Sequence, residues 1–227
     1  MLNKKKLTGL GIGIIVIIII LVLIALISPV RSIAWNSSNI SSNTKDNFFK
    51  SLDTIQFDRQ DNNLNIGFSL TEKDLNNLLY GAIKDKIKVN AMETDINTDS
   101  ISIYINSYIF NKISTQYMLE FVPFTSGDKL VLNLKSAKIG RIPIPKNLVL
   151  NRLKKNNLNY MTINNTNNSI NIDGKILEPF KISSFKLEGD KLRFNLTYSI
   201  KSLQDIKNLF SYGIPDNIRA YAENLFK

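Results

Sequence analysis

The sequence predicts an α+β fold: a largely antiparallel, curved β-sheet that packs on or wraps α-helices and is preceded by one N-terminal transmembrane helix. Three observations lead to this prediction. A long uncharged apolar segment opens the chain, stretches with alternating apolar residues follow it, and stretches with helical apolar spacing lie between them. The 227 residues contain no repeat with a period of about 20–50 residues, so we expect one folded domain.

The apolar segment, residues 7–27, is predicted to be a transmembrane anchor. Its 21 residues carry no charge. About 20 apolar residues span a bilayer as a helix, whereas the apolar core of a signal peptide has about 7–15. Lys4, Lys5 and Lys6 precede the segment, and only Arg31 follows it closely. The positive-inside rule therefore predicts a cytoplasmic basic tail, residues 1–6, and a single-pass protein of the cell membrane.

The residues after the anchor are predicted to lie on the extracytoplasmic side in two parts. Residues 28–47 are predicted to be a flexible linker, because the stretch Asn36–Asn47 contains one apolar residue. Residues 48–227 are predicted to form the α+β domain. The alternative for the N-terminus is a signal peptide cleaved after Ala34, since small residues precede that position.

The first clear elements of the domain are a strand and a helix that follow each other directly. Apolar residues alternate along the predicted strand at Leu64, Ile66, Phe68 and Leu70. The hydroxyl of Thr71 can cap the first turn of the helix, and Glu72 and Asp74 favour the positive end of its dipole. Apolar residues then recur along one helical face at Leu75, Leu78, Leu79, Ala82 and Ile83.

The rest of the domain is predicted to contain further strands and short helices, about seven or eight strands and three or four helices in all. Pro143 and Pro145 lack the donor that a central strand needs, so residues 142–145 are predicted to be a crossover. Strands are predicted at 99–109, 114–124 and 129–140, a helix at 146–156, a hairpin with Gly-Asp at its turn at 181–198, and helices at 202–213 and 215–227.

The composition excludes several kinds of catalytic and metal site. The chain has no Cys and no His, which excludes disulfides, thiol nucleophiles, zinc held by Cys or His, and relays that need imidazole. The D-x-N-x-D pattern from Asp95 lacks the Gly and Glu of a calcium loop. Ser183 and Lys186 have the spacing of a serine–lysine pair on a helix, but they fall in a predicted strand. We therefore expect no enzyme activity, no cofactor and no catalytic or metal-binding residue.

The charge of the chain is its most informative indication of a partner. The net charge is +10, and +6 remains without the four basic residues that flank the apolar segment. No acidic residue occurs between Asp128 and Asp173. The basic residues in this part that are candidates for binding anionic head groups are Lys135, Lys138, Arg141, Lys146, Arg152, Lys154 and Lys155. The alternatives are a solvated face or contact with an anionic wall polymer. Nucleic acid is not expected, because no aromatic residues are interleaved.

The apolar face of the first predicted helix has two interpretations. A helix on a sheet must bury such a stripe, so the face can be plain core. It can also line a groove for acyl chains, together with apolar residues of the sheet. The candidates for lining that groove are Leu75, Leu78, Leu79, Ile83, Ile103 and Phe121.

Two blocks of the sequence resemble a known family. They are LTEKDLNNLL at 70–79 and LNLKSAKIGRIPIPKNLVLNRL at 132–153. With the lysine-flanked anchor before them, they resemble the YpmS-like family of Gram-positive membrane-anchored proteins of unknown function, which implies a topology rather than an activity. The first block is also similar to bacterial tubular lipid-binding (TULIP-like) envelope proteins, in which a curved sheet wraps a helix and leaves an apolar groove.

The expected function is that of a non-enzymatic, membrane-anchored extracytoplasmic domain that binds lipid or another amphiphile at the interface between membrane and wall. The expected partners are the membrane, through residues 7–27, and a lipid ligand, an envelope protein or an anionic wall polymer. The alternative is a structural scaffold or interaction protein of cell-envelope assembly.

Overall fold

The computed structural model has the predicted α+β class, with three helices and two antiparallel sheets in the part of the chain that it describes. The described residues are 4–33, 52–58, 62–84, 88–110, 112–127, 129–155, 161–174, 178–202, 204–205 and 207–208. Residues 34–47 of the predicted linker and the predicted helix at 215–227 lie outside these ranges.

The elements follow the chain in this order. The helices are α1 (Lys4–Ile27), α2 (Glu72–Ile83) and α3 (Lys146–Lys154). The strands are β1 (Leu52–Asp58), β2 (Asn63–Thr71), β3 (Ala91–Ile96), β4 (Ile101–Ile109), β5 (Ile113–Ser126), β6 (Lys129–Ile139), β7 (Ile142–Pro143), β8 (Met161–Asn164), β9 (Ser169–Ile172), β10 (Lys181–Glu188) and β11 (Lys191–Ser199).

The smaller sheet has the strand order β1-β2-β11-β10. It contains the predicted strand at 64–70 and the predicted hairpin at 181–198, whose Gly189 turns with a φ of +63°. The rings of Phe68 and Phe194, on adjacent strands, stack with centroids 4.9 Å apart. Phe185 meets Phe194 edge-on at 4.9 Å. Aromatic pairs across strands are among the stronger stabilising contacts of a sheet.

The larger sheet has the order β3-β4-β5-β6-β9-β8, with β7 paired to β6. The described chain thus has eleven strands in two sheets, more than the seven or eight that the alternation predicts. Strand β3 was missed because Glu93 and Asp95 lie in it, and charged residues at alternate positions make the segment look like a loop. Their carboxylates both accept from Arg31, which compensates their charge.

The prolines lie where the ladder allows them. Ile142 and Pro143 pair only with β6, so the predicted crossover at 142–145 is a short edge strand followed by α3. Pro123 lies inside β5, but β4 pairs with β5 only as far as Phe121. Residues beyond Phe121 therefore have a neighbouring strand on one side only, where a missing N–H costs little.

One face of the larger sheet, called the inner face here, is covered by three units. The register places Thr94, Ile103 and Leu119 on the same face of β3, β4 and β5. Helix α2 covers β3, and α3 covers β6, β8 and β9 through the fully buried Leu150. The smaller sheet covers the third part, in a core cluster that joins its Phe68, Leu70, Ile182, Leu192, Phe194 and Leu196 to Ile96 and Ile101. Apolar burial against these units is the main force that holds the domain together.

Helix α2 begins as the sequence predicts. The Thr71 side chain accepts a hydrogen bond from the Asp74 N–H at 3.3 Å, and the Asp74 carboxylate accepts from the Thr71 N–H at 3.0 Å. This reciprocal capping box satisfies donors that the first turn of a helix leaves without a partner. The helix is rotated so that Asn76, 5% exposed, faces the sheet, and its amide oxygen accepts from the Thr94 hydroxyl.

The C-terminal end of helix α1 meets the domain, and the closest contacts of the helix are with β5 and β7. The side chains from Ile14 to Ile24 are 45–60% exposed. Described side chains in α1 begin at Ile14, and no helix in the described part of the chain is long and apolar enough to cross a membrane.

Candidate functional site

The inner face keeps an apolar row that its three covering units do not fully bury. The row consists of half-buried side chains on β4, β5 and β6: Ile103, Ile105, Tyr117, Leu119 and Leu132. Ile103 packs against both core clusters of the domain and still remains half-buried. We call these five residues the inner row. Apolar surface that stays accessible in the middle of a sheet can bind an apolar molecule.

The predicted groove residues are distributed between the core and this row. Phe121 is buried in the core cluster under α3. Leu75 is half-buried and packs on the core cluster between the two sheets. Leu79 and Ile83 are half-buried, and Leu78 is 38% exposed. Ile103 is the predicted residue that lies in the inner row, while Ile105, Tyr117, Leu119 and Leu132 were not among the candidates.

Arg152 is a predicted basic residue whose charge acts on a residue of the inner row. Burial raises the pKa of the Tyr117 phenol above its ordinary 10.0, and the positive charge of Arg152 opposes part of that rise. Arg152 lies on α3, whose Leu150 covers the inner face. The charge of Arg152 therefore reaches Tyr117, one residue of the inner row.

Lys135 lies elsewhere and is engaged by carboxylates. Its ammonium is 3.0 Å from Glu120 and 3.8 Å from Asp99. The hydrogen bond to Glu120 and the charge of Asp99 raise the pKa of Lys135. Burial alone would raise the pKa of Glu120, but hydrogen bonds from Lys135 and Ser136 lower it below its ordinary 4.5. This network compensates the charge of Lys135 and separates it from the other predicted basic residues.

The remaining predicted basic residues form two groups along the chain. Lys154 and Lys155 are exposed at the C-terminal end of α3, next to Arg152. Lys138, Arg141 and Lys146 lie around the crossover at the other end of that helix, where β7 meets α1. A basic run that is continuous in sequence is therefore divided by the fold.

The domain caps the C-terminal end of α1. The last carbonyls of a helix have no partner within it. Here the Arg141 N–H donates to the Ala25 carbonyl at 2.9 Å, and the Thr115 hydroxyl donates to the Leu26 carbonyl. Gly140, with a φ of +57°, lies so close that a Cβ on it would collide with the carbonyls of Ala25 and Leu26.

Residues 28–33, called the strap here, continue from this contact across the outer face of the larger sheet. The Gln116 side chain, 1% exposed, accepts from the N–H groups of Val30 and Arg31 at 2.8 and 3.0 Å. It also donates to the Arg31 carbonyl at 2.9 Å. Three hydrogen bonds from one buried amide fix two residues of the backbone. Nothing in the local sequence around Gln116 signals this role, because the partners are about 85 residues away.

The Arg31 side chain completes the contact. Its guanidinium binds Glu93 at 2.8 Å and Asp95, and lies 5.0 Å from the centre of the Tyr104 ring. Burial alone would lower the Arg31 pKa, but the two carboxylates raise it. The strap was predicted as the start of a flexible linker, and its contacts with the sheet hold α1 in a defined position relative to the domain. We call the contacts of residues 25–31 with the sheet the junction.

Other features of the described residues give weaker indications of a ligand or catalytic site. An open depression of about 460 Å³ lies where β5 meets β10, between Phe124 and Phe185. Its lining includes Pro123, which pairs with Leu132, but no residue of the inner row itself. No group of three or more acidic side chains within the described residues could hold a metal ion. Ser183 and Lys186 are exposed, and the Ser183 hydroxyl donates to the Asn195 carbonyl rather than to a base.

Comparison with protein families, with curated proteins and with solved structures gives no match for this chain. The resemblance to the YpmS-like family and the similarity to tubular lipid-binding proteins therefore stay predictions.

Proposed function

We propose that this chain is a single-pass membrane protein whose extracytoplasmic domain holds an acyl lipid on the inner face of its larger sheet, without catalysing a reaction. The observation that carries the proposal is the half-buried inner row between two core clusters. Removing apolar surface from water is worth about 25 cal/mol per Å². An acyl chain laid along Ile103, Leu119 and Leu132 would complete the burial that the three covering units leave unfinished.

The exposed side chains of α1 support the membrane anchor. Eleven consecutive apolar residues, Ile14–Ile24, are each 45–60% exposed. A continuous apolar surface of this kind is rare on a soluble monomer and typical of contact with lipid. Lys4, Lys5 and Lys6 precede the segment, which favours a cytoplasmic N-terminus and places the domain on the outer side of the cell membrane.

The position of Arg152 supports an anionic head on the lipid. A phosphate at the margin of the inner row can accept hydrogen bonds from the guanidinium, which binds phosphate oxygens in a bidentate way. Lys154 and Lys155 follow on the same helix end and add positive charge there. Lys135 takes no part, because Glu120 and Asp99 already compensate it.

Site-specific photo-crosslinking tests the lipid site in the full chain. A photoreactive amino acid replaces Leu119, which lies in the inner row, or Phe124. Phe124 is 46% exposed and lies near the C-terminal end of β5. Membranes that contain the protein are irradiated, and the adducts are identified by mass spectrometry. Adducts with one class of acyl lipid are expected at position 119, and much less of them at position 124. Equal lipid yields at both positions, or none at 119, would overturn the lipid site.

Single-cysteine labelling tests the topology separately, and the absence of native cysteine makes it clean. Ser183→Cys, at an exposed position, is expected to react with a membrane-impermeant maleimide on intact cells. Lys4→Cys is expected to react only after the cells are permeabilised. The reverse pattern would contradict the proposed orientation while leaving the lipid site open to its own test.

A scaffold is the second candidate, and exposed apolar residues on the helices favour it. Leu148 on α3 is 59% exposed, and Leu78 on α2 is 38% exposed. Isolated apolar residues of this kind are common, but exposed apolar side chains on helices can also form part of the core of a protein interface. The same crosslinker at Leu148 discriminates the two functions: a protein adduct there, with no lipid adduct at Leu119, would favour the scaffold.

A further inference from the structure

The junction identifies which end of the domain faces the membrane. The last turn of α1 meets the larger sheet at Thr115 and at Gly140–Arg141. From there the strap backbone continues to Gln116, and the Arg31 side chain extends toward Asp95, away from the turn that joins β4 to β5. Helix α1 and that turn therefore lie at the same end of the sheet. We call this end, made of the described segments 88–92, 106–110, 112–116 and 138–146, the proximal end.

The tip of the proximal end is apolar and exposed. Phe110, in the β4–β5 turn, is 87% exposed, and Ile113 is 39% exposed. Phe110 has a φ of +51°, a left-handed conformation that a bulky residue rarely adopts. The chain thus accepts backbone strain at a position where it exposes an aromatic side chain. Thr115, five positions from Phe110, contacts α1, so the tip lies close to the point where the helix ends.

The charges at the proximal end have one sign. Its described segments contain five basic residues and no acidic one: Lys88, Lys112, Lys138, Arg141 and Lys146. The Lys88 ammonium lies 4.6 Å from the centre of the Tyr108 ring, beside the turn. An exposed aromatic residue at an end of the domain whose charges are all basic is typical of a surface that enters the interface of an anionic membrane.

We propose that the β4–β5 turn is a second membrane contact, in which Phe110 enters the head-group region of the outer leaflet and the five basic residues bind anionic lipid head groups. The inference rests on the proposed anchor, since α1 places this end at the bilayer. It does not depend on the inner row. With two contacts and a fixed junction, the domain has one orientation on the membrane.

Fluorescence quenching in lipid nanodiscs tests the contact with the full chain. The only tryptophan, Trp35, is replaced by phenylalanine, and a new one is introduced as Phe110→Trp or as Phe124→Trp. The two positions are exposed and lie near opposite ends of β5, about 40 Å apart at 3.3 Å per residue. Discs contain brominated phosphatidylcholine, with or without phosphatidylglycerol.

Brominated lipid is expected to quench Phe110→Trp and not Phe124→Trp, and the quenching is expected to increase with phosphatidylglycerol. In those discs Lys88→Gln with Lys112→Gln is expected to reduce the quenching at position 110. Equal quenching at both positions, or none at 110 while the protein remains in the discs, would overturn the second contact. Quenching that is equal with and without phosphatidylglycerol would overturn the proposal that the basic residues bind anionic head groups. A protein that does not remain in the discs would instead refute the anchor.

Discussion

Gly140 is the residue on which the junction depends most directly. Its φ of +57° is a conformation in which a side chain is strained, and a Cβ would collide with the carbonyls of Ala25 and Leu26. Backbone strain alone is expected to cost about 1–3 kcal/mol in Gly140→Ala. The collision adds to it and separates the end of α1 from the sheet. We expect a lower thermal midpoint for the full chain in detergent micelles and faster protease cleavage within the strap.

Gly127→Ala is the matched control for that substitution. Gly127 has a φ of +62°, and no atom lies within 4 Å of the position that its Cβ would take. The control therefore measures the strain of the backbone without the collision. Equal losses of stability in the two variants, with unchanged cleavage of the strap, would show that the junction does not need the glycine.

At the scale of the element, the cap of α2 is the clearest local stabiliser. Removing the Thr71 hydroxyl leaves the Asp74 N–H without its partner. Thr71→Ala is expected to destabilise the domain by about 1 kcal/mol, the usual effect of losing an N-cap side chain. Thermal unfolding compares it with Thr125→Ala, an exposed position at the end of β5. A Thr71→Ala variant as stable as the control would mean that the capping box adds nothing.

The same helix illustrates what local sequence can and cannot predict. Thr71 and Asp74 are three residues apart, so the cap could be predicted from the chain alone. The direction in which the helix faces could not, because it depends on β3. The bond between Asn76 and Thr94 rotates a polar residue into the interface and leaves Leu78 outside. For that reason only part of the predicted stripe packs on the core: Leu75 contacts the cluster between the two sheets, while Leu78 is exposed.

At the scale of the whole molecule, stability is expected to fall on acidification through the pKa of Glu120. This pKa is below 4.5 in the folded chain, because hydrogen bonds from Lys135 and Ser136 outweigh the effect of burial. A lowered pKa stabilises the fold above the unfolded pKa, and the stabilisation is lost as the pH falls through the folded pKa. Thermal midpoints from pH 6 downward, roughly across the usual Glu range near 4.3, measure this loss.

Glu120→Gln removes the titrating group. The thermal midpoint of this variant is expected to fall less steeply as the pH is lowered. Glu178→Gln, at an exposed position, serves as the control and should keep the slope of the original chain. An unchanged slope in Glu120→Gln would assign the acid sensitivity to other carboxylates.

The overall plan of the molecule was predictable to the level of its class. Alternation predicts β2, β4, β5 and the β10–β11 hairpin, because apolar residues recur at every second position along each of them. Division into two sheets was not predictable, since it depends on β11 pairing with β2 across more than a hundred residues. The junction could not be predicted from the sequence for the same reason. Arg31 looks like a flanking charge in the sequence, and only the fold brings Glu93 and Asp95 to it.

The junction also constrains the order of biogenesis. The Arg141 side chain donates to the Pro29 carbonyl at 3.5 Å, across a separation of 112 residues, and its N–H donates to the Ala25 carbonyl at 2.9 Å. During synthesis, the end of α1 therefore has no such partners until the ribosome has released the chain beyond Arg141. A nascent chain stopped before that residue would contain α1 without its contacts to Arg141. The position of α1 relative to the domain is thus completed late, when β6 and β7 reach a helix that was synthesised long before.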